Sequence, residues 1–77
     1  MNRYEVTIYE RVSGKLHVFA ETTVYDYEAA KRFYREYLNT LPSLQDVDID
    51  VYEGKRFVRA ETLVNGRWQS SNTEGRR

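Results

Sequence analysis

The chain contains no cysteine and only a single histidine and a single proline. The missing cysteine excludes disulfides, zinc-thiolate sites and cysteine nucleophiles, and it fits a reducing compartment such as the cytoplasm. No apolar run approaches the ~20 residues of a membrane span, and the opening residues MNRYEVTIYE lack the apolar core of a signal peptide. We therefore expect a cytoplasmic protein that does not associate with a membrane.

The chain also lacks an excess of either charge, because twelve basic side chains balance twelve acidic ones. Proteins that bind nucleic acid non-specifically carry a clear basic excess, so the balance disfavours that class. A chain of 77 residues forms one domain with a thin core. Domains of this size often depend on a metal, a disulfide or a partner chain for stability.

In the first half of the chain, the spacing of apolar residues changes from that of a strand to that of a helix. YEVTIYE, residues 4–10, alternates apolar and polar side chains and predicts a strand. A turn at Gly14 leads into KLHVFAETTV, so the two segments predict a β-hairpin. From Asp26, a good N-cap, apolar residues recur three and four apart and predict one helix. The stripe consists of Tyr27, Ala30, Phe33, Tyr34, Tyr37, Leu38 and Leu41, and Pro42 ends it.

The second half predicts a second hairpin and a short extra strand. VDIDVYEG, residues 47–54, and the following KRFVRAETLV predict the third and fourth strands. Asn65-Gly66 is a strong two-residue turn signal, and it precedes RWQSS as a possible short fifth strand. The predicted fold class is α+β, a single ββαββ domain over residues 1–69 with one antiparallel sheet and one helix packed on one face. We expect residues 70–77 to form a flexible tail.

One segment of the chain occurs twice in similar form. GKLHVFAETTV at residues 14–24 and GKRFVRAETLV at 54–64 share Gly, Lys, Val, Ala, Glu, Thr and Val at matching places. A duplicated hairpin and a chance match of strand-forming residues both explain the repeat. In either case the alignment predicts that small side chains of both copies line the core under the helix. These are Val18, Ala20, Thr22 and Val24, with Val58, Ala60, Thr62 and Val64.

A single helix covers only one side of a sheet, so the other side is expected to stay open. Alternation sends most remaining aromatic side chains there, and large exposed apolar patches mark interfaces. Aromatic residues and arginine also dominate interface hot spots. The predicted partner-binding residues are Tyr9, His17, Phe19, Phe57, Arg59, Leu63 and Trp68.

Residues with catalytic potential are sparse. His17 has no serine or cysteine beside it in a nucleophile motif, so a surface or packing role is expected. DVDID places three aspartates on one strand face, but the glycine and glutamate of a calcium loop are missing at the required places. A solvated acidic stripe facing Lys55, Arg56 or Arg59 is the expected arrangement. We therefore predict a non-enzymatic protein with no metal and no cofactor.

Three functions remain open at this point. The first is a protein-binding module that uses the open sheet face or a sheet edge. The second is a structural homodimer that buries the same face against its own copy. The third is a weak single-stranded nucleic-acid binder with aromatic side chains stacked on bases, although the carboxylates on that face would repel phosphates.

The order of elements resembles that of a known kind of protein. A hairpin, a helix opening with YEAAKRFY and then VDIDVYEG resemble small phage- or virus-encoded modulators of host proteins. The resemblance implies a compact domain of one helix and one sheet that inhibits a host protein and has no catalytic residues. It implies no particular site residues.

Overall fold

The computed structural model describes residues 1–38, 44–64 and 66–72. Its elements are β1 (Asn2–Val12), β2 (Lys15–Val24), α1 (Tyr27–Leu38), β3 (Leu44–Glu53), β4 (Arg56–Val64) and β5 (Arg67–Ser71). The predicted fold class is confirmed, since one five-stranded antiparallel sheet carries one helix. Strand β5 reaches into the segment predicted as a tail. Leu41, Pro42, Asn65 and residues 73–77, which figured in the predictions, lie outside the described residues.

The strands lie in the order β2-β1-β3-β4-β5. Strands β1, β3 and β4 therefore lie inside the sheet, and β2 and β5 form its edges. Both hairpins keep their strands adjacent, and β1 joins them by pairing antiparallel with β3. The helix lies in the connection between β2 and β3 and packs against β1, β2 and β3. None of the helical residues that the structure describes forms a segment long and apolar enough to cross a bilayer.

The core lies between strands β1 and β3 and the helix, on the face of the sheet that we call the helix side. Tyr4, Val6 and Ile8 of β1 lie opposite Val51, Ile49 and Val47 of β3, and all six are buried. Ala30 and Tyr34 of the helix are buried against them, with Tyr27, Phe33 and Tyr37 partly buried around them. The predicted helical stripe is confirmed for these residues.

The helix begins where its N-cap was predicted. The backbone N–H of Ala29 donates to Oδ2 of Asp26 at 3.2 Å, and the N–H of Ala30 donates to the Asp26 carbonyl at 3.1 Å. Such a cap satisfies a backbone donor that has no partner inside the first turn, and it typically stabilises a helix by ~1 kcal/mol. Glu28 in that turn also faces the positive end of the helix dipole.

The two hairpins turn at different places in the repeat. In the first, Val12 lies opposite Lys15, so Ser13 and Gly14 form the turn with φ values of 53° and 79°. In the second, Glu53 lies opposite Arg56, so Gly54 and Lys55 form the turn. Lys15 is thus a strand residue, whereas its counterpart Lys55 is a turn residue.

This one-residue difference places equivalent residues of the two copies on opposite faces of the sheet, except Phe19 and Arg59, which both lie on the helix side. Ala20 lies opposite Ile8, on the helix side, whereas Ala60 lies opposite Asp50, on the other face. Because side chains alternate along a strand, a shift of one residue turns every side chain over. The predicted core position is therefore wrong for Ala60, Thr62 and Val64.

The first copy is oriented as predicted from Ala20 to Val24, and a β-bulge precedes this stretch at Phe19. Thr22 and Val24 lie opposite Val6 and Tyr4, on the helix side. At the bulge Ile8 pairs with Ala20 but Tyr9 pairs with Val18, so Phe19 is an extra residue in β2. Val18 is consequently 54 % exposed, and its predicted place in the core is wrong.

Candidate functional site

The residues predicted to bind a partner do not form one patch. The register of the strands separates them into a helix-side group at β4 and β5, a group on the opposite face, and a group on β2. The helix-side group consists of Arg59, Leu63 and Trp68, and the group on the opposite face consists of Tyr9 and Phe57. The group on β2 consists of His17 and Phe19. The prediction that all seven share the open face is therefore wrong for Arg59, Leu63, Trp68, His17 and Phe19.

Arg59 belongs to a polar network on the helix side. It lies opposite Val51, and its Nε donates to Oε2 of Glu61 at 3.0 Å. The other oxygen of Glu61, Oε1, accepts a hydrogen bond of 2.8 Å from the Tyr27 hydroxyl of the helix. Burial and this hydrogen bond raise the pKa of the Tyr27 phenol. The guanidinium is therefore engaged within the domain, and the Tyr27–Glu61 hydrogen bond links β4 to the helix.

Trp68 also lies on the helix side. It pairs with Leu63, and Leu63 in turn lies opposite Val47. The Trp68 ring packs against Tyr34 with the ring centroids 5.4 Å apart, and Lys31 Nζ lies 5.9 Å from its centroid. Trp68 thus fixes the short edge strand β5 to the helix.

The face opposite the helix carries the aspartates of β3, and these are buried. Asp48 and Asp50 are 0 % exposed, and Asp48 lies between Thr7 of β1 and Thr62 of β4 in the ladder. The prediction of a solvated acidic stripe facing basic residues of β4 is therefore wrong. Across the described part of the chain, no group of three or more acidic, histidine or cysteine side chains is arranged to hold a metal ion.

The aromatic side chains of this face also have partners inside the domain. Tyr52 and Phe57 pack edge to face with centroids 5.7 Å apart. The guanidinium of Arg3 lies 4.5 Å from the Tyr52 centroid, and its Nε lies 3.1 Å from Oε2 of Glu5. Tyr9 is buried. The centre of this face therefore offers little accessible apolar surface.

Most of the exposed large apolar side chains among the described residues lie on or beside strand β2, while Trp68 at the other edge is also 40 % exposed. Within the described residues β2 pairs with β1 alone, so its outer side presents backbone N–H and C=O groups that no other strand takes up. Val18, Phe19 and Tyr25 are exposed by 54 %, 40 % and 62 % on or directly after this strand. We call the outer side of β2, together with these three side chains, the β2 edge.

Phe19 connects the β2 edge to the helix. Its ring centroid lies 5.7 Å from that of Tyr37, which in turn lies 5.1 Å from that of Phe33. The bulge makes this contact, because the extra residue turns Phe19 toward the helix while Val18 points to the other side. The exposed part of Phe19 is therefore held in a fixed position beside two further rings. His17 is exposed nearby and lies opposite Glu10.

A shallow groove accompanies β2 on the face opposite the helix. Its volume is about 440 Å³, and it lies over the β1–β2 ladder. The lining residues are Glu5, Val6, Thr7, Glu21, Thr22 and Thr23. Two carboxylates and several hydroxyls thus lie next to the β2 edge, and Glu21 is exposed.

Part of the β2 edge was not predicted from sequence. Val18 was assigned to the core, and Tyr25 was given no role. A signal for the bulge does exist, because the consecutive apolar residues Val18 and Phe19 break the strict alternation of a regular strand. Nothing in the sequence alone reveals that β2, rather than another strand, lies at the edge.

Comparison of the chain with protein-family models, with curated proteins and with solved structures finds no match. Function therefore has to be inferred from the β2 edge and the residues around it.

Proposed function

We propose that the chain is a non-enzymatic protein-binding module that acts through the β2 edge. In line with its resemblance to small phage- or virus-encoded modulators, we propose that it is encoded by a phage, a virus or another mobile element and inhibits a host protein. The observation that carries the proposal is the exposure of Val18, Phe19 and Tyr25 beside a strand with one unoccupied side.

Two physical properties make this edge suited to a protein partner. An open strand side is a template for main-chain hydrogen bonds, and β-strand addition uses it for affinity. The apolar side chains supply the second part, because burying them against a partner gains roughly 25 cal/mol per Å² of apolar surface. Phe19 is already held against Tyr37, so less conformational freedom is lost when a partner covers it.

The opposite face is a weaker candidate than the edge. Its central residues Tyr9, Asp48 and Asp50 are buried within the domain, and Phe57 packs on Tyr52. The same arrangement disfavours a nucleic-acid binder. Bases would need several aromatic side chains on one platform, whereas Phe19 lies on the helix side and Phe57 lies on the opposite face.

The test compares two matched variants. In the edge variant, Val18→Asp and Tyr25→Asp place charges at the two most exposed of the apolar side chains. In the control variant, Gln69→Asp and Ser70→Asp place the same charges on the exposed strand β5 at the other edge. Circular dichroism reports the fold. Partners are captured on each immobilised protein from an extract of the host cells in which the chain is expressed, and sedimentation gives the mass of the protein alone.

We expect the edge variant to keep its fold and lose its partner, while the control keeps both. Hot-spot side chains contribute ~2 kcal/mol or more, which corresponds to a loss of affinity of about 30-fold. Amide hydrogen exchange in the complex should show new protection in β2. Loss of binding in the control variant alone would contradict the proposal. A tight dimer that the edge variant splits would instead identify the homodimer as the function of the edge.

A further inference from the structure

We infer that the partner presents an extended segment of alternating apolar and basic residues, which adds to the sheet as a strand beside Ala20–Val24. The inference rests on the proposed function, because it names the partner chemistry that the β2 edge fits. It follows from the regularity of this part of β2, from the different character of its two faces, and from the local charge.

The regular part of β2 determines where a strand can be added. From Ala20 to Val24 the pairing with β1 runs without a register shift, whereas the bulge at Phe19 interrupts it. An added strand needs a continuous row of backbone groups, and alternate residues of a strand provide them on each side. Five residues of β2 therefore accept a segment of about five residues.

The helix side of this stretch selects apolar residues. Ala20, Thr22 and Val24 lie on this side and are small or β-branched. The rings of Phe19 and Tyr37 lie at the end of the row. Cross-strand neighbours on one face come within about 4.5–5.5 Å of each other, so the partner's side chains opposite these three residues enter an apolar environment.

The other face of the same stretch selects basic residues. Glu21 is exposed there, and Glu5 lies opposite Thr23 in the neighbouring strand. A lysine or arginine opposite Glu21 pairs with it directly. Glu5 already pairs with Arg3, so Glu21 is the main determinant, and a basic residue opposite Thr23 lies two strand spacings, roughly 10 Å, from Glu5. The whole chain has no net charge, so this attraction is local to the edge.

The experiment uses two labelled heptapeptides, acetyl-GVKVKVG-amide and acetyl-GVEVEVG-amide, and measures their binding by fluorescence anisotropy. Two further versions of the lysine peptide carry backbone N-methyl groups at either the odd or the even positions. The protein variants are Glu21→Lys and, as a matched change of charge away from the edge, Glu53→Lys, whose carboxylate lies 3.6 Å from Arg56 in the second hairpin.

We expect the lysine peptide to bind at least tenfold more tightly than the glutamate peptide. Glu21→Lys should reverse this preference, and Glu53→Lys should leave it unchanged. One methylation pattern should abolish binding and the other should be tolerated, because an added strand directs alternate N–H groups toward β2. Protection of the β2 amides in the bound state completes the expected result.

Three results would overturn the inference: equal binding of the two peptides, equal effects of the two charge variants, or tolerance of both methylation patterns. Absence of binding by either peptide would overturn it as well. None of these results bears on the proposed function, which depends on whether Val18→Asp with Tyr25→Asp removes the captured partner. If the peptides behave as expected but that variant keeps the partner, the proposed function fails and the edge chemistry stands.

Discussion

At the scale of single residues, the contact of Tyr27 with Glu61 joins the helix to β4 across the polar part of the helix side. The phenol donates to a carboxylate that Arg59 also engages, so one acidic group takes two donors. Lys31 Nζ lies 4.8 Å from the Tyr27 ring centroid. A neutral phenol suits this position, because an ionised one would face the negative charge of Glu61.

This contact predicts a dependence of stability on alkaline pH. Burial and the hydrogen bond to Glu61 raise the pKa of Tyr27 above 10.0, and the Tyr27 phenol raises the pKa of Lys31 above 10.5. Well below these values both groups are protonated in the folded and unfolded states. Above them the unfolded chain releases its protons first, so the free energy of unfolding falls as pH rises through the folded-state pKa values.

We therefore expect Tyr27→Phe to show a shallower loss of stability between about pH 9 and about pH 11 than the unaltered protein. Urea denaturation at a series of pH values measures the slope. Tyr25→Phe is the matched control, because Tyr25 is 62 % exposed and no hydrogen bond of its hydroxyl is found in the described residues. Equal slopes for Tyr27→Phe and the unaltered protein would show that this phenol does not couple folding to pH.

At the scale of elements, the repeat offers a pair of identical residues in different surroundings. Val18 and Val58 occupy matching places, yet Val18 is 54 % exposed whereas Val58 is partly buried against the core. We expect Val58→Ala to lower the free energy of unfolding by ~1 kcal/mol, as two partly buried carbon atoms are lost. Val18→Ala should change it by less than ~0.5 kcal/mol. Chemical denaturation of both variants measures the difference.

If the two substitutions had equal effects, the repeat would occupy equivalent environments, as the alignment alone predicted. The structure places most equivalent residues of the copies on opposite faces because their turns differ by one residue, with Lys15 in a strand and Lys55 in a turn.

The elements themselves were largely predictable from the sequence, and their mutual arrangement was not. Alternation, the Asp26 cap and the three-and-four spacing from Tyr27 to Tyr37 are local signals, and the structure confirms what they predict. The face of β4 depends on the turn position, where a difference of one residue inverts the prediction. The site residues were grouped on that inverted face, so Arg59, Leu63 and Trp68 were misplaced together. The sequence indicated that a partner binds either the open sheet face or a sheet edge, but it could not distinguish these two sites.

At the scale of the whole molecule, the core is a thin layer that depends on a few central side chains. Ile49 is fully buried in β3, with Val6 opposite it on one side and Glu61 on the other. Ile49→Ala should cost ~2–5 kcal/mol and Ile49→Val ~0.5–1.5 kcal/mol. Marginal stability of roughly 0.05–0.15 kcal/mol per residue leaves a domain of this size little reserve, so the alanine variant should be largely unfolded at modest urea concentrations.

Urea titrations followed by circular dichroism measure both substitutions. A graded loss, with valine between alanine and the native residue, is the expected signature of a packed position. Equal and small losses would mean that the layer under the helix is loosely packed at its centre.

The place of β1 in the middle of the sheet has a consequence for synthesis on the ribosome. One side of β1 finds its partner as soon as β2 follows, but the other side pairs with β3, which ends at Glu53. At about 5–20 residues per second, the nascent chain carries this half-finished sheet for a few seconds. During that interval the apolar row of Tyr4, Val6 and Ile8 has only the emerging helix to cover it. The nascent hairpin is therefore the stage at which we expect the apolar row to be most open to chaperones and to wrong strand partners.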